Sequence, residues 1–570
     1  MALNNDDNQD SIYNDLPDIK EKSLLVGDRL PSKLASAAEA LSHGIPCPDP
    51  EFAQELSDVL INLKTPSLIR RQNAGEMVLN WLFDRGDFIR SENDDLYYLY
   101  KPELKLLNLS SNYWRAWLYS LTGANPASTD FTYLQADCAT VAMLSEPRPV
   151  LKMAAWDKTN QVLRVSRFDG MVFRLDGKAI SEECNGENVI FDDDPSWKPY
   201  EPDFSQPGVF AWLADAFWNF SEPGNKEKCE SESEQYRLAL RVWILSTFFT
   251  ELLPTRPFLA IVGVKGSGKS MTIRRILQAM YGRSSELPGV PEKPDGFTAS
   301  AAAAHILAMD NLDEFHGWMR DKLARLATGA VDHYRKLYTN NELGTVHYRS
   351  WLVFTARTPE TLRRDDLVDR LVILPVVKIP DKYLKVERSF LENVELNRSA
   401  WWGDTLNILN AIVARIKAGD LKNTAIWRMG DWESFGRLVA RLEYKEPAWD
   451  AFIAELKIAQ TDMLLEDDII ADSLMTWLEK HPEQHGKEIA SADLYHDISA
   501  LLFSTTKPPK DWPDTSIKFA RRLQLIRDAL KLMMDIEWKK DRKRRTYYTF
   551  WLKGKKNAEG AEGAECIFIN

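Results

Sequence analysis

Cysteine and histidine are scarce in this chain, with five and eight in 570 residues. Cys47, Cys138, Cys184, Cys229 and Cys566 are scattered and form no CxxC pair, which argues against a zinc ribbon and a disulfide framework. Long apolar runs are also missing. The longest, VWILSTFFTELL around Trp243, falls well short of the roughly 20 residues that span a bilayer. The N-terminus MALNNDDNQDS has no basic region followed by an apolar one, so it does not read as a secretory leader, and the expected location is cytoplasmic without membrane contact. Positive charge is in deficit: the net charge of -12 excludes a general basic coat for nucleic acid. What remains is a globular composition, 44% hydrophobic and 27% charged, long enough for three or four domains at about 150 residues each.

The charge is uneven. Residues 501–556 hold 16 Lys+Arg against 6 Asp+Glu, which leaves -22 on the rest. Composition and periodicity divide the chain into segments. Residues 1–31, rich in Asn and Asp, are expected to be disordered. Residues 32–208 open with helical patterns and continue as a strand-rich module of short alternating runs (DLYYLYK, VLRVS, GMVFRLDG), closed by the Pro-rich PSWKPYEPDFSQPG. An α/β core is expected over 209–385, a helical lid or linker over 386–485, a helix-plus-hairpin module over 486–556 and a disordered tail over 557–570. Asp192, Asp193 and Asp194 precede a proline in a turn and read as a solvated loop rather than a metal site.

The strongest motif is Gly263-Val264-Lys265-Gly266-Ser267-Gly268-Lys269-Ser270, a full GxxxxGK[ST] match. The apolar FLAIV before it supplies a strand, and MTIRRILQAMYG, from Met271, supplies an amphipathic helix after it. Its glycines let the backbone N–H groups face a phosphate at a helix N-terminus, where the dipole favours anions. Lys269 is expected to reach the β- and γ-phosphates of ATP, and Ser270 to help hold Mg²⁺. About forty residues on, HILAMDNLDEF ends an apolar strand at Asp310, placed to hold the same Mg²⁺. Many ring NTPases have Glu directly after this Asp; here the position is Asn311, so Asp313 or Glu314 is the candidate base, each equally readable as an ordinary helix-start acid. Thr355 ends the strand SWLVFTART where a γ-phosphate sensor sits. Arg370, just before LVILPV, stands where a neighbouring subunit's arginine finger is found, with Arg363 and Arg364 as rivals. This order of parts is that of the additional-strand P-loop class, with ATP between the subunits of a ring.

Two further segments point to DNA. RKLYT and GTVHYR flank the turn NNELG, a hairpin signal. On it Arg335, Lys336, His347 and Arg349 are candidate phosphate contacts, and Tyr338 or Tyr348 candidate base-stacking residues for a single strand. Near the C-terminus, PDTSIKFARRLQLIRDALKLMM reads as a helix capped by Thr515 or Ser516, with Phe519, Leu523, Ile526 and Leu530 inward. A hairpin turning at Asp541 to Arg545 follows. With the helix ASADLYHDISALLF this is the layout of a winged helix, in which Lys518, Arg521, Arg522, Arg542, Lys543, Arg544 and Arg545 would meet duplex DNA.

From about Tyr236 to Lys556 the chain resembles the AAA+ replicative helicases of bacterial mobile elements and prophages, MCM-like or superfamily-3-like proteins. LLPTRPFLAIVGVKGSGKS, LAMDNLD, LATGAVDHYRKLYTN, DLVDRLVILPV and RMGDWESFGR carry the likeness. The resemblance implies an AAA+ core beside a strand-rich N-terminal module and a C-terminal winged helix, a multidomain α/β and α+β fold. It implies ATP and Mg²⁺ as cofactors, a homo-oligomeric ring expected to be a hexamer, and DNA as partner, one strand in the channel and duplex at the winged helix. Relatives with a primase domain exist, and here a primase is expected from a separate chain if at all. The rivals are an AAA+ loader or regulatory switch that does not unwind, and a defence or signalling NTPase indifferent to DNA.

Overall fold

The computed structural model describes residues 48–211, 226–282, 287–313, 317–335, 343–357, 365–379, 387–422, 427–465, 468–503, 507–509, 511–541 and 545–552. The expected disordered ends, 1–31 and 557–570, lie outside them. No helix among the described residues is long and apolar enough to cross a membrane.

Two compact units are present, residues 1–150 with 184–192 and residues 151–183 with 193–570. The first begins with α1 (Pro50–Ile61), capped by Asp49, and α2 (Ser67–Arg85). Strands β1 (Gly86–Ser91), β2 (Leu96–Tyr100) and β3 (Lys105–Asn108) follow, then α3 (Asn112–Thr122), α4 (Thr129–Leu144) and the short β4 (Pro147–Arg148). The sheet order is β3-β2-β1-β4. Its core is aromatic: Trp81, Tyr98, Tyr100, Trp114 and Trp117 pack at ring separations of 5.3 to 6.4 Å. Flat rings of this size bury much apolar area in a small unit.

The second unit opens with an antiparallel sheet, β5 (Ala154–Asp157), β6 (Val162–Ser166), β7 (Met171–Leu175) and β8 (Ile180–Cys184). This corrects the expectation of one strand-rich module over 32–208. Alternation marks strands but not which core their apolar face joins. Met153, Trp156, Leu163, Val165 and Phe173 belong to the same core cluster as the P-loop strand, with Trp156 against Phe249 at 5.5 Å.

The α/β core follows: α5 (Lys226–Ser246), β9 (Phe258–Gly263), α6 (Lys269–Tyr281), α7 (Pro294–Ala303), β10 (Ile306–Met309), α8 (Met319–Ala327), β11 (Val331–Arg335), β12 (Leu343–His347), β13 (Trp351–Ala356), α9 (Asp365–Val368) and β14 (Leu371–Val376). Four parallel strands form its described sheet in the order β10-β13-β9-β14. These strands are apolar on both faces, as a sheet covered by helices on each side requires.

His305 precedes β10 in this core, and burial pushes its imidazole down to about 3. The folded state keeps it neutral while the unfolded chain protonates near 6.5, so its contribution is intact above that pH and is lost as pH falls toward 3. At pH 5 the loss is about 2 kcal/mol. A His305→Gln variant is expected to lose less stability between pH 7 and pH 5 than the natural chain in denaturant unfolding. Equal losses in both would refute this.

Helices α10 (Glu387–Leu396), α11 (Arg398–Lys417), α12 (Gly430–Leu442), α13 (Glu446–Leu465) and α14 (Ile469–Lys480) come next. Then follow β15 (Glu488–Ala490), α15 (Ser491–Phe503), α16 (Ser516–Met533), β16 (Met534–Lys540) and β17 (Thr546–Leu552), in sheet order β15-β17-β16. Thr515 caps α16, accepting from the Lys518 amide. The boundary expected at 486 moves to about 468. The inward face of α14, with Ile470, Leu474, Trp477 and Leu478, shares one core with Leu494, Phe519, Leu523 and Phe550. A helical period announces an amphipathic helix without saying which neighbour covers it.

Candidate functional site

The end of β9, the loop after it and the start of α6 form a cradle. Gly266 and Gly268 have φ of 82° and 80°, a left-handed geometry that glycine adopts without Cβ strain. A Cβ at Gly266 would meet nothing within 4 Å, so the loop borders open space at this residue. The adjoining cavity of about 380 Å³ is lined by Lys265 through Met271, Asp310, Asn311, Thr355 and Arg357. Seven of the nine residues expected to bind nucleotide line it. Gly263 and Val264 serve from behind: their carbonyls accept from Lys269 Nζ at 2.6 and 2.9 Å, and Val264 O also accepts from Ser267 Oγ at 2.8 Å. Burial holds the Lys269 ammonium below its ordinary value; Asp313 and Asp310 oppose this, while Arg357 adds to it.

Side chains from three strand and helix ends meet at Asp310. Its Oδ1 accepts from Ser270 Oγ at 2.8 Å and from Thr355 Oγ1 at 2.6 Å. Thr355 Oγ1 accepts in turn from the Asn311 amide at 2.8 Å, and Asn311 takes a φ of 57° as the chain leaves β10. The parallel pairing of β10 with β13 sets Met309 beside Phe354, which brings Asp310 and Thr355 to the same sheet end. A hydroxyl and a carboxylate this close make an all-oxygen donor set of the kind Mg²⁺ takes. The open cradle of amides at a helix start fits the phosphates of ATP.

The other expected residues fall in different places. Asp313 Oδ1 accepts from the Arg357 amide at 2.6 Å, so this carboxylate also shapes the turn after β13. Glu314 lies outside the described residues, as do Arg363 and Arg364. The Arg370 guanidinium donates through Nη1 to Ala324 O, near the end of α8, at 2.8 Å. Arg357 was missed by sequence reasoning. It stands two residues past Thr355, its side chain is 65% exposed, and it lines the cavity. It lies just past β13, and the sequence pattern carried no signal for it.

Val331 pairs with His347 and Arg335 with Leu343, so β11 and β12 form a hairpin ladder. The first strand starts four residues before the expected RKLYT, because Asp332, a polar residue on a buried position, hid the alternation. Tyr348 is not available for stacking on a base: it is buried, and its hydroxyl donates to Asp332 Oδ2 at 2.9 Å. Arg349 lies 3.7 Å from Glu251. Lys336 and Tyr338 lie outside the described residues, and of Arg335 only the backbone is described.

In the C-terminal module Arg521 is exposed and Lys518 pairs with Asp514 at 2.9 Å. Arg522 instead donates to Asp468 at 3.0 Å, the carboxylate that caps α14. Arg542, Lys543 and Arg544 lie outside the described residues. The Arg545 amide donates to Asp541 Oδ1 at 2.8 Å, closing the turn.

Residues 228–448 match the family model described as actinomycete integrative conjugative element replication protein. Over this segment the chain is similar to that family. The match agrees with the resemblance read from the sequence, a replication protein of mobile elements. No curated protein matches the chain. Among solved structures, "SCCmec type IV Cch - active helicase" is 11% identical, with a TM-score of 0.40 over 82% of this chain and 92% of that one. The apo NrS-1 C-terminal region is 10% identical, at 0.39 over 83% and 98%. A JCV helicase is 13% identical, at 0.23 over 45% and 65%. At such TM-scores these likenesses carry no argument.

Proposed function

We propose that the chain is an ATP-driven, ring-forming DNA helicase or translocase that replicates a mobile element. The observation that carries this reading is the cluster of Ser270, Asp310 and Thr355 beside the P-loop, with the cradle open above it. The sheet order, with β13 between β9 and β10, supports an additional-strand AAA+ core. The match to a replication family supports the biological setting.

Bound Mg²⁺-ATP would supply the γ-phosphoryl group whose transfer to water releases the energy. The chain's own residues then have separate tasks. The loop amides and Lys269 bind and orient the phosphates, replacing the contacts Lys269 makes with Gly263 and Val264. Ser270 and Asp310 hold the metal, and Thr355 fixes the Asp310 carboxylate in place. Asp313 and Glu314 are the candidates for orienting water. Arg370, held against α8 by the Ala324 carbonyl, reaches a neighbouring subunit's nucleotide in a hexameric ring. The hairpin tracks a single strand, and the C-terminal module, read as a winged helix, meets duplex DNA through α16 and the β16–β17 turn.

The test is ATP hydrolysis with and without single-stranded DNA, followed by strand displacement. Stimulation by DNA of about tenfold or more, lost in Arg370→Ala, is expected. Hydrolysis indifferent to DNA would discard the helicase in favour of a signalling NTPase. ATP-dependent assembly with weak hydrolysis and no strand displacement would leave a loader or switch.

A further inference from the structure

Asp332 is the second residue of β11 and is buried, 6% exposed. Among the described residues, its carboxylate accepts from two side chains on one helix and from one just past β12. Lys322 and Arg325 reach it from α8, Arg325 at 3.1 Å, and the Tyr348 hydroxyl reaches it from just past β12. Lys322 also donates to Thr298 Oγ1 on α7 at 3.1 Å, and Tyr348 lies 3.2 Å from the same hydroxyl. The base of the hairpin is thus pinned to α8 through one acidic residue, and to α7 through Tyr348 and Lys322. Lys322 and Arg325 are three apart and lie on adjacent turns of α8, so the carboxylate grips the helix at two points.

Helix α8 has a second set of partners on main-chain carbonyls of the same C-terminal half. Ala324 O accepts from Arg370, and Ala327 O accepts from the Arg256 amide at 2.8 Å. The Arg370 carbonyl accepts from the amide of Phe258, the first residue of β9, at 2.8 Å. Strand β9 runs from there to the P-loop. One contiguous set of hydrogen bonds therefore leads from the hairpin base, through α8, to the candidate finger and to the root of the phosphate loop.

We infer that Asp332 is a positioning residue that couples the hairpin to ATP hydrolysis: it makes β11 and α8 move as one body, and α8 passes the displacement to Arg370 and the head of β9. The inference rests on the DNA-motor reading above. An ion cluster that merely held the fold would affect stability and every activity together, whereas a coupling residue affects the response to DNA selectively.

The experiment uses the full chain with Asp332→Asn, which keeps the shape and an acceptor for Tyr348 but removes the charge facing Lys322 and Arg325. Lys322→Gln serves as a second variant, acting on the same contact from α8. Basal ATP hydrolysis, its stimulation by a poly-dT oligonucleotide, affinity for that oligonucleotide by fluorescence anisotropy, and the thermal transition are measured. For both variants the expected result is basal hydrolysis and oligonucleotide affinity close to those of the natural chain, with the stimulation reduced by about tenfold, the upper part of the range for residues along a coupling path. Natural stimulation in both variants overturns the inference and leaves the motor reading standing. Equal losses of basal hydrolysis and of thermal stability reduce Asp332 to a fold contact and also overturn it. A natural chain that poly-dT does not stimulate overturns the motor reading and the inference together.

Discussion

Lys269→Ala is expected to lower ATP hydrolysis by about 10²- to 10³-fold, because it removes the P-loop ammonium expected to stabilise the transferred phosphoryl charge. Its amine already lies over the loop, on the Gly263 and Val264 carbonyls. Those contacts are weak competitors for an ammonium that a triphosphate can attract, and they keep the side chain ordered for the incoming ligand. Phosphate release under saturating ATP checks the rate, and a fluorescent nucleotide analogue checks binding separately. Hydrolysis that stays within about twofold of natural would remove this P-loop from the reaction.

Asp310→Ala should cost a similar amount of activity and, unlike Lys269→Ala, some stability. Asp310 Oδ1 is the acceptor for both Ser270 and Thr355, and Thr355 is buried at 1% exposure. Deleting the carboxylate strands a buried hydroxyl, at about 1–3 kcal/mol, and loosens the Asn311 amide that leans on it. Asp310→Asn separates the two effects. The amide keeps an acceptor oxygen for the hydroxyls, so thermal stability should hold, while the lost charge should still reduce hydrolysis by about 10²-fold. Phosphate release and a thermal melt on both variants check this. If the Asn variant hydrolyses ATP normally, Asp310 holds hydroxyls in place and no metal.

Much of the site was legible because its chemistry is local. Consecutive residues from Gly263 to Met271 form the loop proposed to cradle phosphate, and a strand followed by a helix is all the context they need. Asp310 and Thr355 were also readable, each as a polar residue closing an apolar run. Arg357 was not: it lies past the end of its strand, and only the turn tied to Asp313 brings it to the cavity.

Sequence periodicity and spacing by themselves determined the elements of the core and marked out the glycine-rich loop between β9 and α6, since hydrogen-bonding and steric rules act over a few neighbours. Tertiary structure decided the partnerships. It joined the β5–β8 sheet to the P-loop core, gave α14 to the C-terminal module, and turned Tyr348 inward. It also set Arg522 against Asp468 and Arg370 against α8. Which apolar face meets which, and which buried charge finds which partner, depends on residues far apart in the chain, and burial makes those contacts strong where local pattern is silent.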